Sequence, residues 1–139
     1  MDCVICKKHE ESQMNIYEDE NWIISPGTFD SHLKGYLFME PKRHIENWTE
    51  FKPEELSEVG LLISKIEFGL KKLIDLERLY VLTISEQVRH IHFHLIPRIK
   101  IFEKKGISLI EQATQQKDVK EYMNKEEYDR FISEIRNCL

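Results

Sequence analysis

The sequence predicts an α+β domain: an antiparallel sheet, a long central helix and a C-terminal helix. Three observations predict it. Short β-prone runs occupy the chain before Pro41, a long segment from Pro53 steps its apolar residues by three and four, and a second pair of β-prone runs precedes a final amphipathic segment. Strands, helix, strands and helix in that order suit one antiparallel sheet with helices packed on it. At 139 residues the length is that of one domain, residues 1–139, with a core of its own.

Each element has its local reason. Met14 to Ser25, "MNIYEDENWIIS", places two β-prone stretches around an acidic turn and is expected to form a hairpin. "GYLFMEP", Gly35 to Pro41, reads as a strand closed by its proline. Pro53 suits the first position of the central helix, with Glu54 and Glu55 in its first turn. The stripe of that helix is Leu56, Val59, Ile63, Ile66, Leu70 and Leu73. "RLYVLTIS", Arg78 to Ser85, is the next strand. Only Glu86 and Gln87 separate it from "VRHIHFHLIP", so a tight hairpin is expected. The last helix is expected to start after Asn124, with Glu127 completing a capping box and Tyr128, Phe131, Ile132 and Ile135 as its stripe. The segment between, from Phe102 to Met123, has no clear pattern.

Bulk composition excludes several classes. The net charge of -5 leaves no basic footprint, which argues against nucleic acid as the ligand while allowing a local site for a small phosphorylated metabolite. No apolar run approaches the ~20 residues of a membrane span, and the N-terminus lacks the apolar stretch of a signal peptide. A cytoplasmic protein is expected, with its three cysteines as thiols or metal ligands rather than disulfides.

Half of the six histidines fall in "HIHFHLIPR", His90 to Arg98. With a side-chain period of two, His90, His92 and His94 share one strand face and Ile91, Phe93 and Leu95 the other. The apolar face wants a core. Three imidazoles on the opposite face suit a metal site or a histidine acting as nucleophile or acid–base; a merely solvated face is the bland alternative.

These residues resemble the histidine triad (HIT) family, whose signature is His-φ-His-φ-His-φ-φ with φ apolar, and His90 to Ile96 matches all seven positions. "KGYLFMEPKRHIENW" is similar to the family's glycine, apolar strand and Pro-Lys-x-His, and the likeness runs from about Cys3 to Arg98. The resemblance points to the zinc-containing bacterial or archaeal type of nucleotide hydrolase. It implies that His92 attacks the α-phosphate of a nucleotide conjugate to give a nucleotidyl-histidine, and that His94, protonated, holds a phosphate oxygen. A main-chain carbonyl is expected to orient the nucleophile's other ring nitrogen.

The same resemblance speaks to the cysteines. Cys3-Val4-Ile5-Cys6 alone is ambiguous between zinc, redox chemistry and chance, and the strand–helix context of a redox pair is missing. A closed tetrahedral zinc site needs two further ligands. Zinc-containing family members use two cysteines, a histidine before the central helix and the first triad histidine, which here are Cys3, Cys6, His44 and His90. Such a site, having no open position, stabilises structure rather than activating water.

The likeness weakens elsewhere. Many members hold the ribose with an acid or Asn after the first hairpin, where this chain has "IISPGTFD", with Ser25, Pro26, Gly27 and, further on, Asp30. The family's glycine-glutamine pair before the triad is absent. Gln87 is the candidate phosphate donor, or with Glu86 simply the turn; Arg98 is a second candidate, or a solvated arginine. Ile24 or Ile23 could line an apolar base pocket, or be ordinary core. His9 and His32 read as surface residues and Cys138 as a small apolar packer. Leu61, Leu62, Phe68 and Ile74 give the central helix more apolar surface than one stripe needs. The family resemblance implies a two-fold homodimer through that helix, although the segment from Phe102 to Met123 could cover the excess instead. Three functions follow: a nucleotide-conjugate hydrolase or nucleotidyl transferase, a nucleotide-binding regulatory module with little turnover, and a transition-metal binder, disfavoured because Cys3, Cys6 and His44 already partner His90.

Overall fold

The computed structural model describes residues 2–11 and 15–139. Helix α1 (Val4–Glu11) is followed by strands β1 (Tyr17–Glu18), β2 (Trp22–Pro26) and β3 (Leu37–Pro41), helices α2 (Pro53–Ser57) and α3 (Val59–Leu73), strands β4 (Leu76–Leu82) and β5 (Phe93–Ile99), and helices α4 (Ile107–Gln115) and α5 (Lys125–Cys138). The five strands form one sheet in the order β1-β2-β3-β5-β4, every neighbouring pair antiparallel. The α+β class holds. The hairpin also forms, with β1 and β2 joined across the acidic turn; Met14 lies outside the described residues.

Register decides what each face carries. Ile24, Met39 and Phe93 lie abreast across β2, β3 and β5, as do Leu37 and Leu95. These side chains join Leu62, Ile66 and Leu70 of α3 and Phe131, Ile132 and Ile135 of α5 in the main core. Ser25, Phe38 and His94 lie abreast one residue along and therefore face the other way. On that second face Tyr36 and Ile96 pack against Leu109 and Ala113 of α4.

Two expectations need correction. The central helix divides at Glu58, because the Trp22 indole N–H donates to the Glu55 carbonyl at 3.0 Å, taking an acceptor that a continuous helix would use itself. Leu56 consequently leaves the stripe and is exposed, whereas Leu62 is core. The tight hairpin at Glu86 and Gln87 also fails: β4 ends at Leu82 and β5 begins at Phe93, with residues 83–92 between them. His90 and His92 therefore precede the ladder. Side-chain alternation nevertheless survives, since Ile91, Phe93 and Leu95 all enter the main core.

The segment without a pattern supplies α4, which lies on the second sheet face and leaves Leu61 and Phe68 of α3 uncovered, 75% and 67% exposed. The start of α5 is as expected on one side of its box: the Asn124 carboxamide oxygen accepts the Glu127 N–H at 2.8 Å. No helix among the described residues is long and apolar enough to cross a membrane.

Candidate active site and metal centre

Cys3 precedes α1 and caps it: its Sγ accepts the Cys6 N–H at 3.3 Å. That cap turns both sulfurs toward two imidazoles. Cys3 Sγ lies 3.4 Å from His90 Nδ1, and Cys6 Sγ lies 3.5 Å from both His44 Nδ1 and His90 Nδ1. One ligand atom from each of the four residues falls within 4.8 Å of every other. The loop carrying His44 is tied down next door, where Arg43 makes two bonds to the buried Glu55 carboxylate at 2.9 and 2.8 Å. The outer nitrogens are held as well. His90 Nε2 donates to the Pro41 carbonyl at 2.9 Å, and His44 Nε2 meets the Glu46 carboxylate at 3.1 Å. Both rings thus offer Nδ1 inward, the arrangement in which outer partners orient metal-binding histidines.

Charge makes a cation fit there. Burial raises the Cys3 thiol, but hydrogen bonds, first from the Cys6 backbone, outweigh it and bring the group below its usual value. Cys6 is pushed up to about 11 by burial and by the adjacent Cys3. Two neighbouring thiolates repel without a metal between them, and a soft divalent ion removes the conflict. Burial lowers His90, keeping it the neutral imidazole that a metal needs.

Beyond His90 the chain curls. The His92 ring turns back so that its Nδ1–H donates to the His90 carbonyl at 2.8 Å. Its Nε2 is then the unprotonated nitrogen. Ser85, held at φ 53°, accepts the His92 backbone N–H at 3.2 Å and brings its hydroxyl within 3.4 Å of the same Nδ1. The His92 and His94 rings stand 5.1 Å apart between centroids. His94 is held by Tyr36, whose hydroxyl lies 2.7 Å from His94 Nδ1 and whose ring is fully packed. Burial first, and then the neighbouring His92, lower His94 to about 4. With no phosphate beside it, that shift favours the neutral ring near pH 7, which runs against the expectation of a protonated His94.

The family model for the HIT domain covers residues 8–101. This chain belongs to the HIT family. An uncharacterized HIT-like protein of Methanocaldococcus jannaschii is 29% identical over 78% of this chain and 94% of its own length. Among solved structures, a zinc-bound histidine triad family protein of Mycobacterium smegmatis superposes with a TM-score of 0.71, at 18% identity over 99% of this chain and 93% of that one. A hypothetical histidine triad nucleotide-binding protein of Sulfolobus tokodaii gives 0.69, at 22% identity over 98% and 91%. These likenesses bear on the HIT fold.

In this HIT protein the six expected metal and triad residues come together as two adjacent groups, joined through His90. The expected nucleotide contacts do not. Ile24 is buried in the main core, on the opposite sheet face from His94; Ile23, one residue earlier, takes the His94 face. Arg98 shares the His94 face of β5, but four residues on, about 13 Å along a strand. Gln87 is exposed and lines, with Cys3, His44 and Glu46, an open depression of about 300 Å³ beside the metal cluster.

His9 is not a surface residue: its side chain is 10% exposed and its Nε2 lies 3.0 Å from Glu40 Oε1. His32 is half-buried, accepting the Met123 N–H at Nδ1. Cys138 does pack against the core. Sequence reasoning missed Tyr36, Ser85 and Glu40. Glu40 left a signal, being one acid in the apolar strand "LFMEP"; Tyr36 and Ser85 left none, because their partners are 58 and 7 residues away.

Proposed function

We propose that this protein hydrolyses or transfers nucleoside monophosphate groups from nucleotide conjugates, through a nucleotidyl intermediate on His92. The hydrogen bond from His92 Nδ1 to the His90 carbonyl carries the reading, because it leaves a lone pair on Nε2. That lone pair forms a bond to the α-phosphorus while the bond to the leaving group breaks and the leaving group takes up a proton. Water then attacks the same phosphorus, the N–P bond breaks, and the nucleoside monophosphate departs. Dinucleoside polyphosphates and nucleoside phosphoramidates are suitable donors.

His94 acts as a neutral donor. Among the described residues its Nδ1 is the one hydrogen-bond partner of the Tyr36 hydroxyl, so Tyr36 donates and the imidazole proton sits on Nε2. Such a donor stabilises the charge that grows on a non-bridging phosphate oxygen. Tyr36→Phe is expected to lower kcat about ten-fold with little change in KM, the scale of one lost hydrogen bond. Equal losses for both constants in steady-state assays would count against this tautomer.

Zinc is the metal we assign to Cys3, Cys6, His44 and His90, a closed N₂S₂ set that supplies structural support. Two metal-bound thiolates and a Cys138 outside any disulfide suit a reducing cytoplasm.

The alternative is a nucleotide-binding module with little turnover, left open by one observation. Ser25, Pro26 and Gly27 provide no ribose carboxylate, and a Cβ at Gly27 would clash with the Tyr36 ring. Mass spectrometry after rapid mixing with a nucleoside phosphoramidate separates the two. A transient, acid-labile adduct mapped to His92 is expected; binding without any adduct would establish the module instead.

Assembly follows from α3. Leu61 and Phe68 are two helical turns apart on one exposed side, and β4 is an open sheet edge with Val81 partly exposed. We propose a homodimer through these surfaces, each His92 site nearly complete within one chain. Light scattering at micromolar concentration is expected to give the dimer mass for the wild type and the monomer mass for Phe68→Glu. Charging Leu62 would instead unfold the protomer, since it is core.

A further inference from the structure

We infer that Lys8 makes the nucleoside pocket selective for a 6-oxopurine, guanine or hypoxanthine, over adenine; the inference rests on the nucleotide reading above. The Lys8 ammonium reaches from α1 to the sheet, 2.7 Å from Glu40 Oε2 and 3.2 Å from Ser25 Oγ, and stands 5.1 Å from the centroid of the Phe38 ring. Phe38 in turn meets His94 and His92 edge-on, at 5.4 and 6.5 Å between ring centroids. On the other side of the triad the same sheet face is closed by Tyr36, Ile96 and α4. A planar group attached to a phosphorus at His92 and directed away from α4 would run along the edge of Phe38 toward Lys8, whose ammonium lies over the face of that ring and whose side chain remains 33% exposed.

Two features decide what Lys8 can bind there. Its charge is already matched by Glu40, a carboxylate 1% exposed whose other oxygen is taken by His9. A phosphate gains little from a cation so neutralised. Yet an ammonium has three N–H donors, and Glu40 and Ser25 engage two. The third suits a neutral acceptor. A 6-oxopurine presents O6 and N7 as adjacent acceptors, whereas adenine replaces O6 with an amino group and sets donor against donor. Uracil offers only O4 at the edge away from the ribose, on a shorter base. Glu40 thus has a purpose that its burial alone does not explain: it holds Lys8 in place and removes its attraction for the phosphate chain.

Calorimetric titration of the full chain with GMP, IMP and AMP tests this. GMP and IMP are expected to bind at least about ten-fold more tightly than AMP. Lys8→Met alone leaves a buried carboxylate bare, so it is paired with Glu40→Gln; in that double variant the ratio is expected to fall to within about two-fold. Lys7→Met, the same charge change on the exposed side of α1, is expected to leave the ratio as in the wild type. Equal affinity for GMP and AMP in the wild type, or a ratio preserved in the double variant, overturns the proposal. Failure of the nucleotidyl-transfer reading would show separately, as a missing His92 adduct with the GMP preference intact.

Discussion

Replacing His92 with alanine is expected to lower kcat by about a thousand-fold or more, because a covalent step disappears rather than a binding contact. KM should change far less. The structural cost is small: His92 is half-buried, and its ring Nδ1 bonds the His90 carbonyl at 2.8 Å and meets the Ser85 hydroxyl at a longer 3.4 Å, contacts worth about 1 kcal/mol, so the thermal melt should shift by only a few degrees. Steady-state kinetics with a circular-dichroism melt on the same preparation checks both parts. A variant that kept near-wild-type kcat would remove His92 from the mechanism.

The second large effect concerns the metal. Elemental analysis of protein purified under reducing conditions should find about one zinc per chain. Chelation is expected to lower the melting temperature by roughly 10 °C, from about 2.7 kcal/mol of linkage at a hundred-fold excess over the dissociation constant. Cys6→Ser should reproduce the loss. The physical reason lies in the sulfurs: with Cys6 pushed up to about 11, the unmetallated pair cannot carry two thiolates near neutral pH. Acid should loosen the metal further, as protons compete for the same sulfur and nitrogen atoms. The kcat of molecules that stay folded should fall less than stability does. It should still fall somewhat, because the His90 carbonyl that aims His92 belongs to one of the four proposed zinc ligands. A melting temperature indifferent to chelator, in protein shown to have lost its metal, would refute a structural role.

Both effects pass through residues that could be named from the chain alone, and the reason is local. Alternation placed Ile91, Phe93 and Leu95 in the core whether or not the ladder reached them, since a slip of one residue would bury imidazoles. The cysteine spacing survives because two residues between ligands is one helical turn, and α1 supplies that turn. Register was less legible. "SEQVR" reads as turn chemistry, but Ser85 adopts positive φ to hold His92, and the ladder starts later than the hydrophobic run.

Apolar periodicity thus determined, by itself, the α+β class, the buried side of the triad strand and the capped last helix, while the four-residue metal set was legible through the family resemblance. Each depends on neighbours within a few residues or on a ligand chemistry that admits few residue types. Tertiary structure alone decided that Ile24 faces the main core while Ile23 faces the triad side, that Tyr36 bonds His94 whose burial lowers its pKa, and that Glu40 pairs with Lys8 and His9 beside the triad. Those partners meet only when β3 lies between β2 and β5 and α1 folds over them. A buried polar group must find a partner, but nothing in its own stretch of chain says which distant residue that will be.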